Sequence, residues 1–163
     1  MPADQARPLA VIDIDGVVAD VRHRLHHLER RPKDWAGFFA AAPEDPPLAE
    51  GVVVVRDLAA THEIVYLTGR PARTRGDTRD WLARHHLPPG RIVMRADGDH
   101  RPARIAKVEL LREVGADREV GVVIDDDAAV CTAVSAAGYP VRQADWAGRA
   151  PALEAAQEVE GRT

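Results

Sequence analysis

The sequence predicts an α/β fold of three layers, a central parallel sheet of about five strands covered on both faces by helices. Three observations carry that prediction. Short apolar runs alternate along the chain with amphipathic stretches of helical spacing. The runs are rich in Val and Ile and apolar at nearly every position, as strands buried on both faces of a parallel sheet are. The length of 163 residues suits one domain over residues 1–163, since domains commonly hold roughly 100–200 residues. Right-handed crossovers through the helices then give an open, Rossmann-like sheet, whose ligands bind at the carboxyl ends of the strands.

The elements follow in order. Strands are expected at Leu9–Ile14, Glu63–Leu67, Arg91–Met94, Gly121–Ile124 and Pro140–Arg142, each bounded by Gly, Pro or Asp. Helices are expected at Gly51–Ala60, Thr78–His86, Ala103–Val114 and Ala128–Ala137, with Gly115 and Gly138 standing where C-terminal caps belong. Residues 20–50 break the alternation. Val21, Leu25 and Leu28 suggest one short helix there, Trp35, Phe38 and Phe39 another, and Pro43–Pro47 ends the stretch. It is too small for a domain and reads as a helical cap inserted after the first strand. The tail from Ala147 reads as a loosely docked helix over Ala152–Val159 that frays at its end.

Composition excludes several classes. No apolar stretch approaches the roughly 20 residues of a membrane span, and no basic-then-apolar leader opens the chain. A lone cysteine, Cys131, rules out an intrachain disulfide and a cysteine zinc cluster. The expected setting is the cytoplasm. The 26 acidic and 22 basic residues, net −4, give no global pull towards nucleic acid or anionic lipid. No membrane association and no protein partner is evident.

The chemistry concentrates at the strand ends. The first strand closes on Asp13-Ile14-Asp15-Gly16, and two carboxylates at i and i+2 of an extended segment project to one side. The fourth strand ends in Asp125-Asp126-Asp127. On adjacent central strands these acids converge on one rim, and their mutual repulsion calls for a hard divalent cation, with oxygen ligands favouring magnesium over zinc. Read singly, each Asp is equally a strand terminator or helix cap, Asp127 above all. The second strand ends in Thr68-Gly69-Arg70, whose hydroxyl and loop amides suit phosphate oxygens. Lys107 lies in the helix before the fourth strand, where its ammonium suits a phosphoryl group or a carboxylate.

The order Asp-x-Asp-Gly-Val, Thr-Gly-Arg, lysine, Asp-Asp resembles the haloacid dehalogenase-like (HAD) phosphohydrolase superfamily, over residues 13–127. Within it, Arg70 and the Thr-Arg-x-Trp-Leu segment at Thr78–Leu82, with the Ile124–Asp126 ending, are most similar to the phosphatase domain of polynucleotide kinase-phosphatases. No Gly-x-x-x-x-Gly-Lys-Ser/Thr loop occurs, so no kinase activity is expected. The resemblance implies a phosphatase in which Asp13 attacks phosphorus to give an aspartyl-phosphate. Asp15 would protonate the leaving oxygen and then activate water, a role that asks for a pKa above that of Asp13, which the metal would hold ionised. Mg2+ would take the Asp13 carboxylate, the Asp15 carbonyl and Asp126, with Asp125 as a further ligand or anchor. Thr68, Gly69 and Lys107 would bind phosphoryl oxygens, and Arg70 would add charge there or towards the substrate.

Basic residues cluster beside this rim. Arg22, Arg24, Arg30, Arg31 and Lys33 fall in the insert, and Arg70, Arg73, Arg75, Arg79 and Arg84 follow the second strand, together ten of the 22. They favour a polyanionic substrate, a nucleotide or a nucleic-acid 3′-phosphate end, with Arg22, Arg24, Arg73 and Arg75 as candidate contacts. Solvated helix faces are the equal alternative. Trp35, Phe38 and Phe39 are candidates to stack on a base or to pack the insert. His23, His26 and His27 read as polar contacts rather than a metal site, Cys131 as a small buried hydrophobe, Trp81 as core and Trp146 as packing for the tail. A dehalogenase of the same superfamily lacks the second acid, so Asp15 argues against it. A receiver-like phosphoacceptor keeps its acceptor alone on a middle strand, and a phosphate-binding pseudoenzyme would lack a catalytic position.

Overall fold

The computed structural model describes residues 6–148 and 150–163. Five parallel strands form one sheet in the order β3-β2-β1-β4-β5: β1 Leu9–Ile12, β2 Glu63–Pro71, β3 Arg91–Arg95, β4 Val120–Asp125 and β5 Val141–Gln143. The helices are α1 His26–Glu29, α2 Trp35–Ala40, α3 Ala49–Ala59, α4 Arg75–Arg84, α5 Ala103–Val114, α6 Ala128–Ala136 and α7 Pro151–Ala155. None of them is long and apolar enough to cross a membrane.

Alternation along the strands divides the core in two, because successive side chains point to opposite faces. Ala10, Ile12, Ile64, Tyr66 and Ile124 pack with Val52 and Val55 of α3 and Trp81 and Leu82 of α4. Leu9, Val11, Val65, Leu67 and Val123 pack against α5 and α6 through Leu111, Val114, Val130 and Val134. Strands continuous in apolar character thus feed both layers, and the three-layer α/β expectation holds. Strand order reverses between β1 and β4, so the carboxyl ends of these two strands form the crevice where open sheets bind ligands.

Three local expectations are corrected. Strand β2 extends through Thr68-Gly69-Arg70 to Pro71, which pairs with Arg95 across an irregular register, so this tripeptide is strand end rather than free loop. Helix α4 begins at Arg75, after a 3-10 turn at Ala72–Thr74, rather than at Thr78. The tail is not loosely docked. Helix α7 and the π turn Ala156–Glu160 bury Leu153 and Ala156 among Val21, Leu28, Phe38 and Phe39 of the insert.

The insert holds short turns and helices, as its Pro-rich close and irregular spacing lead one to expect. Asp34 caps α2 by accepting a hydrogen bond from Gly37 N–H. Trp35, Phe38 and Phe39 meet one another edge-on or stacked, so the insert packs its own small core.

Candidate active site

The chain leaves β1 through a tight turn. Val17, Val18 and Ala19 all donate N–H bonds to the carbonyl of Ile14, and Gly16 lies at φ +79°, in the left-handed region that glycine enters without penalty. Asp13 N–H donates to Ile124 O at 2.9 Å, which ties the end of β1 to β4. A Cβ on Gly16 would lie 2.1 Å from Asp126 Oδ2, so the missing side chain is what lets Asp126 close on the turn.

Asp13, Asp125 and Asp126 each offer a carboxylate oxygen within 4.8 Å of the others. Lys107 Nζ, on α5, lies 2.6 Å from Asp125 Oδ2 and 3.1 Å from Asp13 Oδ2. One ammonium thus faces three acids. Asp126 Oδ1 is buried without a hydrogen-bond partner and Asp13 Oδ2 has only its ion pair with Lys107, as ligands awaiting a hard cation would be. Burial, and then Asp125 and Asp126, push the Asp13 carboxyl well above the usual carboxylate range, while Lys107 opposes them. Burial and Asp125 push Asp126 up to about 7. The Lys107 ammonium, which burial alone would weaken, is strengthened by Asp125 and Asp13. The residues fit Mg2+: three clustered oxygen donors and excess negative charge, with no sulfur or imidazole in the donor cluster found among the described residues.

Asp15 belongs to a second, balanced network. Its Oδ1 accepts from Arg70 Nη2 at 2.6 Å, Arg70 Nε at 3.0 Å and Arg24 Nη2 at 3.0 Å. Asp45, at the close of the insert, holds both arginines from the other side, with Arg24 Nε at 2.8 Å and Arg70 Nη2 at 3.1 Å. All four side chains are buried. Burial raises the Asp15 carboxyl, but Arg70 and then Arg24 outweigh it and hold the group at about 2. From the protein's own groups alone, Asp15 is the stronger acid and Asp13 the weaker; the opposite order expected of the pair is the one in which bound Mg2+ would hold Asp13 ionised. The two arginines, which the sequence placed elsewhere, are what makes Asp15 the stronger.

The expected site residues therefore sort clearly. Asp13, Asp125, Asp126 and Lys107 converge. The Asp15 carboxylate is held by its arginines through Oδ1, and the metal contact that the resemblance implied for Asp15 is its backbone carbonyl. Thr68 is buried at the end of β2, its Oγ1 accepting from Arg70 N–H at 3.2 Å, and Gly69 is buried beside it. Arg70 and Arg24 are corrected: with every Arg70 nitrogen engaged by Asp15, Asp45 or Thr78, and Arg24 fully buried over the Phe38 ring, neither presents a donor to substrate. Arg22 is exposed and paired with Asp20, and the Arg73 guanidinium lies over the Phe39 ring near Asp97. Arg75 donates to Ile92 O at the β3 edge. Asp127 caps α6, accepting from Ala129 and Val130 N–H, as its alternative reading allowed. His23 donates from Nε2 to Asp45 Oδ1 and His27 from Nδ1 to Asp34 Oδ2, polar contacts within the insert. Cys131 is buried, Trp81 is core and donates to Asp45 O, and Trp146 packs on the first core cluster with its Nε1–H on Val17 O.

Asp45 was missed. The signal was available: an acid fixed between prolines, Pro43 and Pro46, in a segment carrying five basic residues, is a natural counter-charge for any arginine that becomes buried.

The fold recurs among solved structures. Two structures of a Pnkp1/Rnl/Hen1 complex, one described as an RNA repair complex, contain chains 23% and 24% identical to this one. They superpose with TM-scores of 0.68 and 0.69 over 86% of this chain, but over only 47% and 44% of theirs. This chain thus spans less than half of those neighbours. A haloacid dehalogenase-like hydrolase from Streptococcus pneumoniae is 12% identical, covers 94% of this chain and 92% of its own, and has a TM-score of 0.60. These likenesses bear on the fold. A search of curated protein sequences gave no match. The model of the polynucleotide kinase PNKP phosphatase domain matches residues 8–147, most of the chain and all of the site just described, and the protein belongs to that phosphatase family of the HAD type.

Proposed function

We propose that the protein is a magnesium-dependent phosphomonoesterase acting through an aspartyl-phosphate on Asp13, with a nucleotide or nucleic-acid 3′-phosphate as substrate. The observation that carries this reading is the cluster of Asp13, Asp125 and Asp126 facing the single ammonium of Lys107.

Asp13, Asp126 and Asp125 would hold Mg2+, which when bound supplies the positive charge that neutralises phosphoryl oxygens during transfer. The residues of the chain do the rest. The Asp13 carboxylate attacks phosphorus in line with the leaving oxygen, and the P–O bond to that oxygen breaks as the acyl phosphate forms. Lys107 and the Thr68 hydroxyl, both buried, steady the transferring oxygens. Asp15, braced on Oδ1 by Arg24 and Arg70, is oriented as the general acid and base. A phosphoryl dianion entering beside it raises its affinity for the proton it must pass to the leaving oxygen. Once that alcohol has gone, Asp15 takes a proton from the water that opens the acyl phosphate.

The 3′-phosphate reading rests on the family match and on the RNA repair complex from which the similar chains come. Those chains assemble with Rnl and Hen1; a protein partner of this chain belongs to the same proposal. The test is phosphate release from p-nitrophenyl phosphate, nucleoside 3′- and 5′-monophosphates and sugar phosphates. Release should vanish with EDTA, return with Mg2+, and be lost in a folded Asp13→Asn variant. Turnover by that variant, or indifference to chelator, would refute the mechanism, and preference for 5′-monophosphates or sugar phosphates would refute the substrate.

A further inference from the structure

The reacting groups lie under cover. Asp13 is 3% exposed and Thr68 1%, although a phosphomonoester must reach both. The stretch from residue 150 onward lies beside their neighbours Gly69 and Asp126. After Leu153 and Ala156 dock on the insert, Gln157 and Glu158 face Asp126 and Asp127 across a cavity of about 460 Å³. Farther on, the carbonyl of Gly161 accepts from Arg95 Nη1 at 2.7 Å. The backbone of Thr163 lies on Gly69, where a Cβ would come 2.2 Å from the Thr163 carbonyl carbon. The stretch therefore runs along the carboxyl edge of the sheet, from the β4 side at Asp126 to the β2–β3 side at Gly69 and Arg95. Strand β1, with Asp13, lies between β4 and β2.

We propose that residues 150–163 form a strap that selects substrate by size and charge. Closed, it admits through the cavity a phosphomonoester of one nucleoside or a similar small alcohol. Displaced, it opens the strand ends to a polynucleotide terminus. This inference rests on the phosphatase reading. A cavity of this volume is within the range of small-molecule sites. Its wall includes the carboxylates of Asp126, Asp127 and Glu158, which repel a phosphodiester chain and accept hydrogen bonds from sugar hydroxyls. Besides the buried bond from Arg95 to Gly161, the side-chain ties of the strap, Lys33 to Glu160 and Arg104 to Glu158, join partly exposed groups. Such pairs contribute little and are released readily. Glycine is required at 161, where φ is +58° and a Cβ would meet His100 O at 1.9 Å, so the strap seats closely when it closes.

The test compares the full chain with two variants, a deletion of residues 151–163 and an Arg104→Ala/Glu160→Ala double substitution. The second removes one partner of each exposed tie, leaves the cavity wall and the net charge unchanged, and keeps the test alive if the deletion fails to fold. Each is assayed with Mg2+ on p-nitrophenyl phosphate, a nucleoside 3′-monophosphate and a 3′-phosphorylated single-stranded oligonucleotide. Release of the strap should raise kcat/KM on the oligonucleotide about tenfold or more, while p-nitrophenyl phosphate changes less than about threefold. An unchanged ratio of oligonucleotide to p-nitrophenyl phosphate turnover in the folded variants overturns the strap but leaves the phosphatase standing. No release by the parent chain from any of the three substrates overturns both.

Discussion

Gly16→Ala puts the metal cluster under the most direct strain. The residue sits at φ +79°, where an L side chain costs about 1–2 kcal/mol. The new methyl would also lie 2.1 Å from Asp126 Oδ2 and 2.5 Å from Asp126 Cγ. Carbon and oxygen normally approach no closer than about 3.3 Å, so the carboxylate must retreat by roughly 1 Å. Asp126 is one of three oxygen donors packed within 4.8 Å, and a displacement of that size at a catalytic centre costs about a hundredfold. The fold loses only the backbone penalty, since the methyl pushes on a side chain rather than on the sheet. Mg2+ titration by calorimetry, p-nitrophenyl phosphate turnover and urea denaturation separate these effects. The expected result is weakened Mg2+ binding, about a hundredfold loss of kcat/KM, and a stability loss of about 1–2 kcal/mol. Mg2+ affinity and turnover within about twofold of the parent, in a variant that carries the backbone penalty, would refute Asp126 as a ligand held by this turn.

Other substitutions probe the remaining parts. Asp45→Ala leaves two buried guanidinium groups to share the one carboxylate of Asp15 and should cost about 3–5 kcal/mol in urea denaturation; in the protein that stays folded, kcat should fall more than KM changes, because the arginines that brace Asp15 lose their anchor. Lys107→Met removes the single cation facing Asp13 and Asp125, and should lower thermal stability most in EDTA, with Mg2+ restoring part of it. Gly76→Ala, in the first turn of α4 with nothing within 4 Å of the added methyl, should raise stability by about 0.4–1 kcal/mol and leave phosphate release unchanged.

What could be read from the sequence was whatever is coded locally. The apolar runs Leu9–Ile12 and Val120–Ile124 announce their own burial, and the acids that follow each run had to emerge at strand ends. Adjacency of β1 and β4 was needed to bring those acids together, and the sheet order supplies it. Arg70 read as a phosphate ligand and Arg24 as a substrate contact because a chain read in one dimension does not reveal which basic residues a folded-back insert will bury. Their burial depends on Asp45, separated from Asp15 by the whole insert and joined to it only through the two arginines. The docking of the tail had the same origin: Leu153 and Ala156 are unremarkable small apolar residues until Val21, Leu28 and Phe38 are placed beneath them.

The division of charge between the two buried networks explains why a pair of aspartates two residues apart take different parts. Asp15 shares with Asp45 two guanidinium groups, so that network is neutral within itself and rigid, and it needs nothing from outside. Asp13 shares with Asp125 and Asp126 one ammonium, so its network carries a surplus of negative charge in a place that solvent scarcely reaches. Burying that surplus is costly unless a cation joins it. The turn at Ile14–Gly16 is what sends the second acid to the arginines while the first stays with the other acids. Had Asp15 joined the same cluster, the site would hold four acids against Lys107 alone and would have no separately braced group to move the proton. Selectivity between nucleophile and proton carrier thus follows from where the insert folds back, since Arg24 and Asp45 both come from it, and an insert that failed to dock would leave both acids competing for the same cation.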